Sequence, residues 1–449
     1  MHHSDLTSAH LPQGETSWRR FLWLYGSEMC SVTGTGLTAF ALGAWVYAET
    51  RDTTAFALLS VAAILPGHLL LPLGGVLADL LPRRPVMWAC NLLAGLCAIA
   101  IIALMASNTL THGWLYFLLA ISALCRTLQW ITFTATMTLM VPPARLGRMS
   151  ALIYLGEAGQ QILAPMVAAL TLPLLGHEGV IGMDVATFLF ALIVLSITPI
   201  PPASSEDEAP RSASWRTVRD ALLVGWRFIW QRRGLLVLQI FFALSQFLGG
   251  FLPILTLPAL MELTQHSERV TGLTMGFAGL GLLAGAALLA WRPARGKRVR
   301  GTILCDVGST TSLLLLSLGA PSLGAWWVGV WGFVFLAFHA MESGISQDLW
   351  QRKVSPPLQG RVFAIRRFIS WSLVPLCYLL AGPLVDDVLT PLQPTLHEVL
   401  PVWFPGTAKL GAMMSLMAIA ASARLFLLAP STLLFKELWT LEEDLEDQI

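Results

Sequence analysis

Ionisable side chains inside long apolar stretches are the residues of this sequence whose chemistry needs the most explanation. Glu28, Arg126 and Glu157 lie in three such stretches, and His339 and Glu342 lie together in a fourth. Residues three positions apart share one face of a helix, so a histidine and a glutamate at that spacing can relay protons. A charge within a bilayer is costly and marks a functional site by default. We therefore assign these five residues to proton exchange or ligand contact, with polar packing contacts as the alternative for each.

Other candidates follow from position and residue type. Asp184 is expected to be structural, near the outer end of its stretch. Asp306, Asp348 and Arg424 are expected near the inner interface, as gate residues or as side chains that extend to the membrane surface. Most aromatic residues of a membrane bundle pack against helices or lipid, but some line cavities for amphiphilic ligands. The candidates for such a lining are Trp130, Phe133, Tyr154 and Trp371.

The composition excludes a soluble fold. Of the 449 residues, 55% are hydrophobic and only 12% are charged, whereas soluble domains carry roughly 25% charged residues. A surface in contact with lipid removes the need for charges. The formal net charge is +1, and no basic arm with interleaved aromatic residues is present, so nucleic-acid binding is not expected.

Motifs of enzyme chemistry are missing from the sequence. It contains no G-x-x-x-x-G-K-[ST], nucleophile elbow, zinc motif or dinucleotide fingerprint. The six cysteines all lie in apolar stretches, without the C-x2-C spacing of a metal site. We therefore expect no enzyme activity, no cofactor and no metal, and we interpret the cysteines as small buried hydrophobes.

Apolar segments long enough to cross a bilayer recur along the chain. About 20 mostly apolar residues are needed for one crossing, and the sequence predicts twelve transmembrane helices. The fold class is therefore an all-α polytopic membrane protein with two six-helix bundles. The predicted spans are 21–47, 55–80, 86–106, 113–140, 149–174, 179–198, 235–261, 269–291, 301–318, 322–347, 362–384 and 407–430.

The distribution of basic residues predicts the orientation. With a cytoplasmic N-terminus, the inner segments hold 23 of the 28 Lys and Arg residues, the outer loops hold 3, and Arg126 and Arg424 lie within spans. This asymmetry is typical of the positive-inside rule. It predicts that both termini are cytoplasmic and that the protein lies in the inner (plasma) membrane. The polar first 18 residues do not form a signal peptide.

The predicted domain organisation follows a polar linker between spans six and seven. Residues 201–214 are rich in Pro, Ser and acidic residues, and 215–233 alternate basic and apolar residues like an interfacial amphipathic helix. The predicted units are a cytoplasmic tail (1–18), an N-terminal bundle (19–200), a linker with the amphipathic helix (201–234), a C-terminal bundle (235–432) and an acidic tail (433–449).

A short internal repeat relates the two bundles. The segment 141–151, Val-Pro-Pro-Ala-Arg-Leu-Gly-Arg-Met-Ser-Ala, aligns with 354–364, Val-Ser-Pro-Pro-Leu-Gln-Gly-Arg-Val-Phe-Ala. Arg148 and Arg361 are equivalent in this alignment, and both segments occupy the same place in their six-helix half. Parallel repeats of this kind are typical of secondary transporters, whose substrate site lies between the halves.

The loop after span two resembles a signature of the major facilitator superfamily. It reads Gly75-Val-Leu-Ala-Asp79-Leu-Leu-Pro-Arg83-Arg84, similar to the superfamily's Gly-x-x-x-Asp-Arg-x-Gly-Arg-Arg/Lys, with Leu80 for the first Arg and Pro82 for the second Gly. The resemblance implies a gate in which the carboxylate of Asp79 pairs with basic residues of a neighbouring helix. The gate candidates are Gly75, Asp79, Arg83, Arg84, Arg148 and Arg361.

Further segments resemble one branch of that superfamily. Arg126-Thr-Leu-Gln129 is similar to its Arg-x-x-Gln motif, and the segment 164–169, Ala-Pro-Met-Val-Ala-Ala, is similar to a glycine-rich antiporter motif with alanines for glycines. The segments 21–27 and 37–42, and 360–363 with 381–384, resemble macrolide efflux proteins and the enterobactin exporter. The segment 350–367 also resembles transporters found beside nonribosomal-peptide pathways.

The resemblance implies a secondary transporter. Its expected function is proton-coupled export of an amphiphilic small molecule, such as a siderophore, a peptide natural product or a drug. Two alternatives stay open: an importer or lysophospholipid flippase of the same fold, and a non-transporting receptor or scaffold. The expected partners are a small-molecule substrate, protons and membrane lipids, and the expected state is a monomer.

Overall fold

The described part of the chain is almost entirely helical. The computed structural model describes residues 14–142, 145–199, 215–292, 297–399 and 407–441, and within these ranges it contains no strand. Most of the two predicted tails and the polar linker 201–214 lie outside the described residues. A bilayer favours this outcome, because an open sheet edge in hydrocarbon would leave backbone polar groups without partners.

Within the described residues, the first half of the molecule consists of five helical elements. They are α1 (Gly14–Thr50), α2 (Thr53–Leu80), α3 (Arg83–Ala106), α4 (His112–Met140) and α5 (Leu146–Ile197).

Helix α5 is a hairpin that crosses the membrane region twice. Its Gly176 has φ +68° and ψ 178°, a conformation that glycine adopts without the Cβ penalty of other residues. Neighbouring turns of α1 contact both limbs: Gly36 lies against Ala164, and Gly34 lies against Asp184. The 52-residue helix therefore contains predicted spans five and six.

The second half repeats this plan with more interruptions. One crossing breaks at Gly250, and another passes through a π-helical segment at Leu384–Leu389. The elements are α6 (Trp215–Trp230), α7 (Arg233–Gly249), α8 (Phe251–Leu263), α9 (Glu268–Trp291), α10 (Arg298–Leu323), α11 (Ala325–Lys353), α12 (Pro356–Ser372), α13 (Val374–Pro383), α14 (Thr390–Val399), α15 (Ala408–Ala423), α16 (Ala429–Ser431) and α17 (Lys436–Trp439).

The predicted fold class is confirmed. The described residues contain 11 helical segments long and apolar enough to cross a membrane, and the hairpin in α5 makes twelve crossings from them. Large apolar side chains face outward, such as Leu174 at 81% and Leu434 at 82% exposure. Such a surface is stable only against lipid.

The turn between predicted spans nine and ten is displaced from its predicted position. The sequence places an end at residue 318, but α10 continues through Pro321 to Leu323, and the chain reverses at Gly324 with φ +80°. A proline within a helix removes one backbone hydrogen bond, whereas a left-handed backbone conformation favours glycine. The glycine therefore sets the reversal.

The two ends of the bundle are distinguished by their connections. The linker end holds the ends of α5 and α6 that flank residues 200–214, and the distal end holds the turns at Arg51, Gly176 and Gly324. A continuous cluster of buried apolar side chains joins the halves toward the distal end. It includes Phe56 of the first half and Leu257 of the second.

Candidate functional site

A central cavity separates the two halves. Its volume is about 810 Å³, and its walls come from α1 to α5 on one side and from α7 to α13 and Arg424 on the other. Most of the wall is apolar, with aromatic groups such as Phe40, Phe56 and Phe335. Pockets for drug-sized ligands have volumes of about 300–1,000 Å³ and are mostly apolar, so the cavity has the size and character of a small-molecule site.

Few charged groups reach the cavity wall. Among the side chains that the structure describes, Arg126 and Asp184 come from the first half, and His339 and Arg424 come from the second. Each of these charges interacts strongly with its neighbours, because charges between apolar helices are poorly screened by water.

Glu28 lies directly behind the cavity wall of the first half. It is 5% exposed, and the Gln129 amide Nε2 donates to its Oε1 and Oε2 at 2.9 Å each. The Arg-x-x-Gln spacing puts Arg126 and Gln129 one turn apart on α4, so both polar groups face α1. Glu28 therefore contacts the α4 motif through Gln129.

Arg126 is near enough to two buried carboxyl groups to interact electrostatically with both. These groups belong to Asp184 and Glu28, and the Arg126 side chain is accessible because it lines the cavity. Asp184 accepts a hydrogen bond from the Thr38 hydroxyl at 2.7 Å and a longer one from Thr35 at 3.5 Å. The sequence expectation of a structural role for Asp184 missed its place on the cavity wall.

The second half holds a matching cluster around Arg424. The Nε of Arg424 donates to Oδ1 of Asp306 at 3.0 Å, and one terminal nitrogen bonds to the same oxygen. The Ser245 hydroxyl also donates to that oxygen. Asp306 and Arg424 are 0% and 2% exposed, so they form a buried ion pair and do not extend to the membrane surface as expected. Asp348 does lie at the linker end, paired with Arg298 and Arg352.

The predicted His339–Glu342 pair adjoins this cluster. The Nδ1 of His339 is 3.8 Å from Oε2 of Glu342, and a terminal nitrogen of Arg424 is 3.7 Å from the same oxygen. His339 lines the cavity, whereas Glu342 is buried at 1% exposure. Arg424 begins a π-helical segment that extends to Leu428, an irregularity that recurs at functional sites.

The aromatic candidates separate into two groups. Trp371 lines the cavity and packs on His68 of the opposite half, with ring centroids 5.8 Å apart. Phe133 is instead 0% exposed and stacks with Trp130 at 5.8 Å in an apolar cluster that also contains Phe21. Trp130 and Phe133 therefore do not line the cavity, because α4 packs against α1 and α3 at their level, nearer to the linker end than Arg126.

Some predicted site residues lie outside the described side chains. These are Tyr154 and Glu157 of α5 and Gly75 and Asp79 of α2.

The other gate candidates are placed at the linker end. Arg83 donates to the Ala135 carbonyl at 3.4 Å, and Arg84 donates to the Ser196 carbonyl. Arg148 and Arg361 are exposed. The described contacts of these four arginines stay within their own half.

A polar latch joins the halves at the distal end. The backbone nitrogen and the hydroxyl of Thr54 donate to Oδ2 of Asp386 at 2.8 and 2.9 Å. The ammonium group of Lys409 pairs with Oδ1 of Asp386 at 2.8 Å. It also donates to the Arg51 carbonyl. The Tyr47 hydroxyl donates to Glu262 at 3.0 Å. Between described residues, the hydrogen bonds and ion pairs that cross the halves all lie at this end, so the distal end is closed.

We expect Asp386→Ala to open the distal end. Hydrogen bonds to charged groups contribute about 1.5–3 kcal/mol, so the share of distal-open molecules should rise by about tenfold or more. The measurement is the distance between spin labels at Asn108→Cys and Ser322→Cys, read by double electron–electron resonance after Cys30→Ser removes the exposed native thiol. Asp387→Ala, an exposed neighbour, is the matched control. Equal distance distributions for the two variants would contradict a latch at Asp386.

The same latch predicts a pH dependence. Burial and the adjacent carboxyl of Asp386 raise the pKa of Asp52 in the closed state, and Lys409, Arg51 and Tyr116 are the other ionisable groups near it. A carboxyl whose pKa is raised by closure stabilises the closed state below its ordinary pKa, and this stabilisation disappears as the pH rises through the raised value. In the unmodified latch, the spin-label distances should therefore shift toward the open state on alkalinisation, and Asp52→Asn should remove this shift.

Comparisons with known proteins agree with this architecture. The family model described as Major Facilitator Superfamily matches residues 24–376. Macrolide efflux protein A of Streptococcus pyogenes is 22% identical over 388 residues, covering 83% of this chain and 91% of that protein.

Two solved structures show the same fold. A bacterial homologue of the human lysosomal transporter Spinster, inward-facing and unoccupied, superposes with a TM-score of 0.72 at 14% identity, covering 97% of this chain and 100% of that chain. A D-xylose–proton symporter superposes with a TM-score of 0.67 at 12% identity, covering 92% of this chain and 97% of that chain. At these identities the likeness concerns the fold alone.

Proposed function

The chain belongs to the Major Facilitator Superfamily, and we propose that it exports an amphiphilic small molecule in exchange for protons by alternating access. The central observation is the cavity of about 810 Å³, whose walls are apolar except for a few charged groups at its sides. An apolar wall suits the body of an amphiphile, and the charged groups suit its polar end.

The closed distal latch supports alternating access. A transporter needs two states that open the same site to opposite sides of the membrane. The latch is made of hydrogen bonds and ion pairs on the surface between the halves, and such contacts can break without unfolding a helix. With the linker end in the cytoplasm, as the basic residues predict, the described state faces inward.

Export is favoured by the similarity to macrolide efflux protein A, which covers most of both chains. The size of the cavity also suits a natural product better than a single sugar or ion. Within this class we propose a siderophore or a related peptide natural product. Transport energy would come from protons, because the chain has no nucleotide-binding loop.

Proton exchange is assigned to the buried carboxyl groups beside Arg126 and Arg424. Glu28 is the foremost candidate in the first half, because it is buried next to the cavity and held by one amide. His339 and Glu342 are the candidates in the second half. A group that gains and loses a proton changes the charge of the site, and this change can bias the two conformations.

The experiment is transport into inside-out membrane vesicles with an acidic interior. The probes are erythromycin, ethidium and enterobactin, and accumulation of at least one of them that collapses when nigericin removes the pH gradient is the expected result. Vesicles without the protein are the control. Accumulation in intact cells would identify an importer instead, and no pH-dependent movement of any probe in either direction would overturn the proposal.

A further inference from the structure

The two halves carry buried charge clusters of the same composition. Among the described side chains, Arg126 lies with Glu28 and Asp184 in the first half, and Arg424 lies with Asp306 and Glu342 in the second. Each cluster thus holds one guanidinium and two carboxyl groups. The four carboxyl groups are all nearly inaccessible, with exposures of 5%, 2%, 0% and 1%.

This composition is not neutral when all carboxyl groups are ionised and His339 carries no extra proton. Arginine stays protonated in proteins, so one carboxylate in each cluster is then balanced and the other is not. An uncompensated charge in an apolar interior is strongly unfavourable, and a buried acid takes up a proton instead. Each half therefore needs one proton to be neutral in the described state.

In the second half, the contacts identify the carboxyl group that holds this proton. Asp306 accepts two hydrogen bonds from Arg424 and one from Ser245 through Oδ1, which makes it the ionised partner. The Oε2 of Glu342 is buried and has no hydrogen-bond partner, and the nearest nitrogens of Arg424 and His339 lie beyond hydrogen-bonding distance, at 3.7 and 3.8 Å. A carboxylate in this position would lack donors, whereas a protonated carboxyl group supplies its own.

His339 connects this carboxyl group to the cavity. Its side chain is 30% exposed and lies on the wall, and its ring stacks on Phe335 at an interplanar angle of 8°. Its Nδ1 faces Oε2 of Glu342. The imidazole of His339 thus lies between the buried carboxyl group of Glu342 and the cavity.

In the first half, the contacts do not distinguish an ionised carboxyl group from a protonated one. Asp184 lines the cavity and accepts from Thr38, and Glu28 lies behind it and accepts from Gln129. Because Arg126 interacts with both, neutralising either one leaves a balanced pair. The proton of this half is therefore assigned to either Glu28 or Asp184.

Few other described ionisable groups face these clusters. From α10, Cys305 lies near Glu342 and Asp306. From α3, Cys90 lies near Glu28.

We propose that each half binds one exchangeable proton, on the Glu28–Asp184 pair in the first half and on Glu342, reached through His339, in the second. One transport cycle then exchanges two protons for one substrate molecule. This stoichiometry rests on the proposed function, whereas the two proton sites do not require a substrate.

The test is infrared difference spectroscopy of the full chain in lipid nanodiscs, because a buried protonated carboxyl group has its own C=O stretching band. On alkalinisation, the unmodified chain should lose two such bands. Glu342→Gln should lack one band, and Glu28→Gln should lack the other. Asp348→Asn, which alters an ion pair at the linker end, should keep both. A single band in the unmodified chain, or two bands in Glu342→Gln, would overturn the proposal.

Kinetics test the route through His339 without removing either acid. After a rapid pH jump, His339→Asn should lose the Glu342 band at least about tenfold more slowly, while the band of the first half keeps its rate. Equal rates for the Glu342 band with and without His339 would remove the histidine from the route. This variant also covers the case in which Glu342→Gln does not fold.

Transport of the probe that accumulates tests the stoichiometry separately. A gradient of one pH unit sustains an accumulation ratio of about tenfold per proton, so two protons sustain about a hundredfold and Glu342→Gln should reduce the ratio to about tenfold. Two bands without any proton-driven transport would refute the proposed function and leave the proton sites standing. Proton-driven transport with a single band would overturn the proposal of two proton sites and leave the proposed function standing.

Discussion

Arg424→Met is expected to lower the free energy of unfolding by about 3–5 kcal/mol, because it leaves a buried acid without its cation. Methionine keeps the apolar stem of the side chain, so the loss mainly reports the missing guanidinium. Asp306 would keep only the Ser245 hydroxyl as a donor to its Oδ1, and Glu342 would lose its nearest cation. The measurement is chemical unfolding in detergent micelles, followed by tryptophan fluorescence.

Two further variants test whether the lost ion pair, and not lost packing, lowers the free energy of unfolding. Arg233→Met removes an arginine that is 84% exposed and 3.9 Å from Glu437, and its cost should stay within about 1 kcal/mol, as for other surface pairs. The double variant Arg424→Met with Asp306→Asn should recover most of the loss, since removing both partners leaves no unpaired charge. A double variant as unstable as Arg424→Met alone would show that packing, and not the ion pair, explains the effect.

The membrane crossings could be predicted because the bilayer imposes a simple rule. Every crossing needs a long apolar helix, and this requirement can be seen in one segment at a time. The kink at Gly176 lies in the predicted gap between spans 149–174 and 179–198, whereas the turn at Gly324 lies beyond the predicted gap between 318 and 322. Hydropathy does not show that Pro321 stays within α10 and that the chain reverses at Gly324.

The charge clusters were predictable only in part. Glu28, Arg126, His339 and Glu342 stand out because each lies deep in an apolar stretch. Arg424 and Asp306 lie nearer to the ends of their helices, and a count from those ends predicted exposure. Their burial depends on the packing of α10 against α15 and on a contact across 118 residues of sequence, which no single segment reveals.

The cavity wall was the least predictable feature. Trp130 and Phe133 have the residue types of a lining, and they lie four and seven positions after Arg126 on the same face of α4. Arg126 lies nearer to the distal end, where this face reaches the cavity, whereas Trp130 and Phe133 lie nearer to the linker end, where it packs in an apolar cluster. The level at which the cavity ends therefore separates lining residues from packing residues, and the sequence alone does not show that level.

The composition of the first-half cluster predicts how Glu28→Gln acts. Glutamine still accepts a hydrogen bond from Gln129, and Arg126 keeps Asp184 as its single counter-charge, so the variant should fold and bind substrate. It cannot exchange a proton, however, and the cluster no longer needs one. In vesicles with a gradient of one pH unit, the accumulation ratio should fall by about tenfold, which is the contribution of one proton.

The matched control for this variant is Glu49→Gln, an exposed carboxyl group of the same helix, which should leave the accumulation ratio unchanged. Asp184→Asn should reproduce the loss of Glu28→Gln, because either substitution removes the surplus carboxyl group. Combining the two would leave Arg126 without a counter-charge, and the double variant should lose stability where the single variants do not. An unchanged ratio in Glu28→Gln would exclude Glu28 from proton coupling, and a stable double variant would show that Arg126 does not depend on this pair of acids.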